Sequence, residues 1–236
     1  MKRPAVFNDI MCVTFDLDDT LWPVAPTIIR AEQVVYAWIT RCYPKISNKY
    51  TADQIVIKRN QLGERRKDIA YDVTELRYVS LLELAHEFNY SEKFADEALS
   101  LFRQYRNKVY PYEYSEAVLF DLHQHYMLGA ITNGNAQLEN IPLGRFFDFV
   151  VTAEDVGVGK PHPDMFIHAS KKANVALENI VHIGDSPQTD VLGAIHAGCK
   201  AIWFNDKRQS WPGGQTPDQV VHCLSELPQL LIPPKE

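Results

Sequence analysis

Residues 10–22, Ile-Met-Cys-Val-Thr-Phe-Asp-Leu-Asp-Asp-Thr-Leu-Trp, carry an apolar run straight into three carboxylates. The run 10–15 is short and rich in apolar and β-branched residues, the pattern of a buried strand in a parallel sheet. Asp16 then falls at the carboxyl end of that strand, where open α/β sheets place their ligands. Asp16 and Asp18 are two residues apart, so in extended chain their side chains leave the same face. Like charges held that close repel unless a cation or a proton lies between them. Taken alone, the segment fits a helix cap or a turn built on Asp18, Asp19 and Thr20 equally well.

A lone parallel strand has nothing to pair with, so its partners must lie further along the chain. They do not come at once. Ile28, Ile29, Val34, Val35, Trp38 and Ile39 recur at helical spacing within 26–42. Thr51 reads as the N-cap of a charged helix through about Lys67, and Thr74 as that of one running to Phe88. Residues 92–109 put Phe94, Ala98, Leu101, Phe102 and Tyr105 on one side. Four amphipathic helices joined by short links predict a four-helix bundle, and Tyr110-Pro111-Tyr112 ends it. From Ser115 onward helices (116–125, 164–173, 191–197) alternate with strands (127–132, 149–152, 180–183, 201–204). That alternation predicts an α/β fold, a Rossmann-like parallel sheet with helices on both faces. The strand at 10–15 belongs to this sheet, which makes the helical block an insertion. The expected division is a core domain of residues 1–22 and 112–236 and an inserted helical domain of residues 23–111.

Composition narrows the partners. With 236 residues, 46% of them hydrophobic, the chain can bury a full core. A formal charge of -6 disfavours nucleic acid or an acidic membrane as partner. Small anions are still admitted, because a metal ion and one lysine reverse the potential locally. Cys12, Cys42, Cys199 and Cys223 are widely spaced, with no pair at metal-ligand or redox spacing. The basic start Met-Lys-Arg-Pro meets Asp9 before any signal-like apolar region develops, and no run of 18 apolar residues exists. The expectation is a cytoplasmic protein, a monomer or weak homodimer, with a loose Ile-Pro-Pro-Lys-Glu tail.

Three more strands end on polar residues. Residues 128–132 lead into Thr132-Asn133-Gly134, where a hydroxyl and backbone amides can hold a phosphate oxygen, or where a plain Asn-Gly turn can form. Gly159-Lys160-Pro161-His162-Pro163 fixes one lysine just before a helix start; a solvated loop lysine is the plainer alternative. Ile183-Gly184-Asp185-Ser186-Pro187-Gln188-Thr189-Asp190 again runs from strand to carboxylates, with Asp190 placed to cap the following helix. All strand carboxyl ends of a parallel sheet share one edge, so Asp16, Asp18, Thr132, Lys160, Asp185 and Asp190 converge there. Magnesium prefers one or two carboxylates plus water and phosphate oxygens, which Asp16 and Asp185 supply.

The segments FDLDDT (15–20), ITNGN (131–135), GKPHPDMF (159–166) and IGDSPQTD (183–190) resemble, in order, the four motifs of the haloacid dehalogenase-like hydrolase superfamily. The helical insertion resembles the four-helix cap of its first subgroup. Within that subgroup the chain is similar to flavin mononucleotide phosphatases that also act on a ribitylaminouracil phosphate, chiefly through Tyr71-Asp72-Val73-Thr74 and Arg77. The resemblance implies a magnesium-dependent phosphatase of small phosphorylated metabolites. Asp16 would be its nucleophile, forming an aspartyl-phosphate, and Asp18 its general acid and base. Thr132, the Asn133 amide and Lys160 would hold phosphate oxygens, and Mg²⁺ would sit on Asp16, Asp185 and the Asp18 carbonyl with Asp190 orienting its shell. Trp22 would stack on a planar ring or pack a hinge, and Arg77 would meet the substrate's polar tail or lie on a solvated helix face. Arg65, Arg66 and Lys67 read as an exposed charge run, and His162 and His182 as structural histidines. Other readings on the same fold are a 2-haloacid dehalogenase, which needs neither Asp18 nor magnesium because halide leaves without a proton, and a phosphomutase. A non-catalytic binder of phosphorylated ligands would be expected to have lost a motif residue.

Overall fold

The computed structural model describes residues 7–233, so most of the basic start and the last three residues of the tail lie outside it. The described residues form two compact units. One comprises the chain through Pro23, Pro111–Gly134 and everything from Leu138; the other comprises Val24–Tyr110 and Asn135–Gln137.

The first unit is built on six parallel strands: β1 (Cys12–Phe15), β2 (Met127–Thr132), β3 (Phe149–Thr152), β4 (Ile180–Gly184), β5 (Lys200–Phe204) and β6 (Gln219–Val221). Their spatial order is β3-β2-β1-β4-β5-β6, the doubly wound arrangement whose order reverses between β1 and β4. Every residue of β1 and β4 is buried, as strands covered on both faces must be. One face packs Cys12, Ile131, Val151, Met165, Phe166 and Val191 into a common core. The parallel α/β sheet expected from the sequence is therefore present. Its sixth strand was not expected: Gln219–Val221 is three residues long at the sheet edge, too short for a period-2 signal.

The second unit holds helices α1 (Val24–Cys42), α2 (Pro44–Ser47), α3 (Ala52–Arg65), α4 (Val73–Glu87) and α5 (Lys93–Arg106). Ala31, Val35, Ile39, Leu81, Leu84, Phe94, Ala98 and Phe102 close its core. Thr51 caps α3 in a capping box with Gln54. Helix α4 is capped by Asp72, whose carboxylate accepts from Thr74 N and Glu75 N at 2.9 Å. Thr74, expected as that cap, lies one residue inside the helix; the ionised carboxylate upstream is the stronger acceptor for orphan N–H groups. Asn135–Gln137 joins these helices through Arg106 Nε on Asn135 Oδ1 at 3.0 Å and Asn107 Nδ2 on Gln137 Oε1 at 3.0 Å.

Back in the first unit lie α6 (Ser115–His123), α7 (Ala153–Val156), α8 (Pro163–Ala173), α9 (Gly193–Ala197) and α10 (Leu227–Leu231). Between β4 and α9 the chain makes a wide π turn, Pro187–Leu192. Its N-cap is Ser186, whose Oγ accepts from Thr189 N. Asp190, for which helix capping is one compatible reading of the sequence, lies inside this turn and points into the sheet edge.

Candidate active site

Asp16 follows β1 directly and is fixed there by its own N–H, which donates to Ile183 O of β4 at 2.9 Å. The chain then folds back within one turn. Leu21 N donates to Leu17 O at 2.8 Å and Asp19 N to Trp22 O at 2.7 Å, with Asp19 in the left-handed region at φ 61°, where a short polar side chain is tolerated. That turn brings Thr20 under Asp16. The buried Thr20 hydroxyl donates to Asp16 Oδ2 at 3.3 Å and accepts from Asp185 N at 3.1 Å. One hydroxyl thus ties the end of β1 to the end of β4 across the reversal in strand order.

Lys160 enters from the loop before α8. Its backbone is clasped by the Asn133 side chain, whose Oδ1 accepts from Lys160 N at 2.7 Å while its Nδ2 donates to Lys160 O at 2.9 Å. The clasp requires Gly159, since a Cβ there would stand 2.9 Å from Asn133 Oδ1. The ammonium, buried, donates to Asp16 Oδ1 at 2.7 Å and to the Ile131 carbonyl, and pairs with Asp190 Oδ1 at 2.7 Å. Thr132 Oγ1 accepts from Gly134 N at 2.9 Å, which leaves its own proton free to give to a ligand.

Asp185 and Asp190 complete the edge. Asp190 Oδ2 accepts from Ser186 N at 2.9 Å, and its carboxyl lies so close over Gly184 that a Cβ there would come within 2.4 Å of it. Trp203, on β5, donates its indole N–H to the Asp185 carbonyl at 2.8 Å. Oxygens of Asp16, Asp185 and Asp190 lie within 4.8 Å of one another. Hard oxygen donors at that spacing fit a small divalent cation. Asp190 is engaged by Lys160 and Ser186 and Asp16 by Lys160 and Thr20, while the Asp185 side chain carries no such hydrogen bond among the described residues.

The charges explain why such a cation is welcome. Burial pushes the Asp16 carboxyl up to about 8, against the pull of Lys160 and with a further push from Asp190 and Asp18. Burial, with Asp190 and Asp19, raises Asp185 to about 6. Asp190 goes the other way: burial opposes its charge, but Lys160 and His182 outweigh it and hold the carboxyl below its ordinary range. One ammonium serves two carboxylates here, and a third stands nearby. A cation between Asp16 and Asp185 favours the ionised form of both.

Asp16, Thr132, Lys160, Asp185 and Asp190 therefore meet at one edge, with Asn133 holding Lys160 through its side chain. Asp18 accepts from Trp22 Nε1 at 2.8 Å, and its charge reaches Asp16. Trp22 is wholly buried, which corrects the reading that its ring offers a face to a planar ligand; the indole packs beneath the loop and orients Asp18. Arg77, in the other unit, is not on a solvated helix face: it is buried, donates to Glu32 Oε1 at 2.8 Å, and lies over the Phe102 ring. His162 caps α8. The sequence reading missed the bridging role of Thr20, whose only signal is its place one turn after Asp16. It also missed Trp203, which reads as an ordinary core aromatic.

The 5-amino-6-(5-phospho-D-ribitylamino)uracil phosphatase YigB of Escherichia coli (strain K12) is 32% identical to this chain over 230 residues, covering 94% of it and 96% of YigB. Pyrimidine 5'-nucleotidase YjjG of the same strain is 37% identical over 110 residues, 44% of this chain and 49% of its own. A crystal structure of a 2-haloacid dehalogenase from Pseudomonas syringae pv. Tomato DC3000 superposes with a TM-score of 0.89 at 35% identity, covering 94% of this chain and 98% of that one. The family model described as haloacid dehalogenase-like hydrolase matches residues 10–198, a span that includes Asp16, Thr132, Lys160, Asp185 and Asp190, and the chain is a hydrolase of that family.

Proposed function

We propose that this chain is a magnesium-dependent phosphatase that hydrolyses small phosphomonoesters through a phospho-Asp16 intermediate. The observation that carries the reading is the cluster of Asp16, Asp185 and Asp190, two of which, Asp16 and Asp190, share the buried Lys160 ammonium. Releasing a halide needs no such carboxylate trio, whereas a phosphoryl dianion brought up to Asp16 needs cations on both sides.

When bound, Mg²⁺ supplies positive charge against the phosphoryl oxygens and the nucleophile. The chain does the rest. Lys160 and Thr20 hold Asp16 so that a carboxylate oxygen faces phosphorus in line with the ester oxygen. As the Asp16–phosphorus bond forms, the phosphorus–ester oxygen bond breaks, and Asp18, held by Trp22, gives its proton to the leaving alkoxide. Water then attacks phosphorus, Asp18 takes its proton, the acyl phosphate bond breaks, and inorganic phosphate and free Asp16 result. The Thr132 hydroxyl donates to a non-bridging oxygen, and the positive charge of Lys160, held on Asp16, offsets the charge on those oxygens throughout.

The similarity to YigB along nearly its whole length supports a riboflavin-pathway phosphate, the ribitylaminouracil phosphate or flavin mononucleotide, as the substrate class. Phosphate release across flavin mononucleotide, the ribitylaminouracil phosphate, nucleoside monophosphates and sugar phosphates, with magnesium and with chelator, tests both levels. Magnesium-dependent turnover with one flavin-pathway compound preferred by orders of magnitude in kcat/KM supports the full reading. Broad, weak, magnesium-dependent turnover keeps the phosphatase and removes the substrate. Halide release from 2-chloropropionate that is indifferent to chelator, with no phosphate release, removes the phosphatase.

A further inference from the structure

Within the helical unit, α1, α3 and α4 bring Glu32, Arg59 and Arg77 together. Arg59 Nη2 and Arg77 Nη1 both reach the same Glu32 oxygen, Oε1, at 2.6 and 2.8 Å. All three side chains are mostly buried, at 12% exposure for Arg59, 10% for Arg77 and 17% for Glu32. Two guanidiniums on one carboxylate leave one positive charge unmatched in the cluster. Neither arginine can shed it, since guanidinium does not deprotonate near neutral pH. Burial lowers the proton affinity of Arg77 to about 10, with the charges of Arg59 and Arg106 adding to the effect and Glu32 opposing it. The Nε of Arg77 is buried and has no hydrogen-bond partner among the described residues. Buried, unpaired donors are rare in proteins because the lost water is not replaced.

The same residues, with Val35, Ile39 and Phe102, line a cavity of about 20 Å³. Such a space holds roughly one water-sized body. What the cluster lacks is one acceptor atom and one negative charge; beyond Glu32 and the arginines the walls are apolar except for Tyr36 and Ser80, whose hydroxyls donate to the Tyr50 and Arg77 carbonyls. A phosphate or sulfate is too large for the space, and a water supplies the acceptor without the charge.

We infer that the Glu32–Arg59–Arg77 cavity of the helical unit is a binding site for a small monovalent anion of halide size. The anion accepts from Arg77 Nε and balances the second guanidinium. This site asks nothing of Asp16 or of the reaction assigned to it, so it stands or falls separately from the proposed activity.

Bromide is the probe. Crystals of the full chain grown without halide and soaked in sodium bromide, with data collected at the bromine edge, are expected to show an anomalous peak beside Arg77 Nε. Glu32→Gln removes the competing carboxylate charge, so its crystals should reach the same occupancy at a several-fold lower bromide concentration. Arg77→Met should lose the peak. In parallel, bromide at constant ionic strength, balanced with sulfate, should raise the Tm of the wild-type protein and not that of Arg77→Met. A water without anomalous signal in the wild-type cavity, a peak that survives in Arg77→Met, or weaker bromide binding by Glu32→Gln would each overturn the site. Should Arg77→Met fail to fold, the wild-type and Glu32→Gln crystals decide alone.

Discussion

The Lys160 ammonium donates to the Asp16 carboxylate across 2.7 Å, with 1% of the lysine side chain and 11% of the aspartate side chain exposed. In so dry a place neither charge is tolerable without the other, and Asp190 on the far side of Lys160 sharpens the dependence. Lys160→Met therefore leaves two carboxylates facing each other. Breaking a buried pair from one side costs about 3 to 5 kcal/mol, so the variant's urea midpoint should fall by that equivalent and its turnover by at least about a thousandfold. Adding Asp190→Asn to Lys160→Met removes the repulsion and should return much of the stability with none of the activity. A double variant no more stable than the single one would show that repulsion between Asp16 and Asp190 is not what Lys160→Met exposes.

The same burial sets a pH dependence in the metal-free protein. Asp16 is raised to about 8 and Asp185 to about 6, both above their unfolded values, so the folded state binds protons that the unfolded state releases. Stability contributed this way is present at low pH and is lost as pH rises through the folded value. His182, lowered to about 4 by burial, acts with the opposite sign below its unfolded value of 6.5 and offsets Asp185 there. Between about pH 6.5 and 8 only the Asp16 contribution is left. With chelator present, Tm should decline across that interval; the decline should vanish in Asp16→Asn and flatten when magnesium is added. A chelated Tm that is level or rising from pH 6.5 to 8 would show Asp16 to be ionised without a metal.

The strand-end motifs were legible because a parallel sheet leaves little freedom. Apolar runs ending on Asp16, Thr132 and Asp185 identify the strands and place their polar termini on a single edge, whatever the details of the loops. What the sequence pattern does not carry is the pairing of side chains distant in sequence. Nothing about Glu32 marks it as the partner of Arg77, 45 positions away on another helix, and nothing about Trp203 marks its indole for Asp185. Trp22 was misread in part because position beside the nucleophile loop says nothing about which way a ring turns. Asp72 outcompeted Thr74 as a cap through charge, a difference that residue preferences for N-caps rank only weakly.

Trp203 gives a test of how the Asp185 loop is held. Its indole N–H is the donor to the Asp185 carbonyl at 2.8 Å, and its ring meets Trp211 edge-to-face at 5.2 Å between centroids. Trp203→Phe keeps an aromatic ring in the core and loses the donor. Groups that orient a metal ligand typically contribute 10- to 100-fold in metal affinity, so the magnesium concentration for half-maximal phosphatase activity should rise about tenfold, with kcat at saturating magnesium nearly unchanged. An unchanged magnesium requirement would reduce Trp203 to a packing residue.

His182 lies one step behind the carboxylates. Its Nδ1 is 3.0 Å from Thr14 Oγ1, its Nε2 is 3.5 Å from Asp190 Oδ1, and Phe166 meets the ring edge-to-face. Two tautomers are conceivable for a neutral ring. If Nδ1 carried the proton, the Nε2 lone pair would face a carboxylate oxygen with no donor between them. If the Thr14 hydroxyl gives its one proton to Nδ1 at 3.0 Å rather than to the Val181 carbonyl at 3.4 Å, the Nε2 proton points at Asp190, and the contact is attractive. The second arrangement makes His182 a positioning residue: it holds Asp190, Asp190 holds Lys160, and Lys160 holds Asp16. The contact is long, so its loss should cost near the lower end of what a hydrogen bond to a charged group contributes, about 1.5 kcal/mol or roughly tenfold in rate. His182→Leu is therefore expected to lower kcat about tenfold while leaving KM within a factor of about two, the signature of an interaction that matters in the transition state and not in binding. His182→Gln, whose amide N–H can stand where Nε2 stood, should recover most of the loss. Equal defects in the two variants, or a change confined to KM, would make His182 a core residue that happens to lie beside the site.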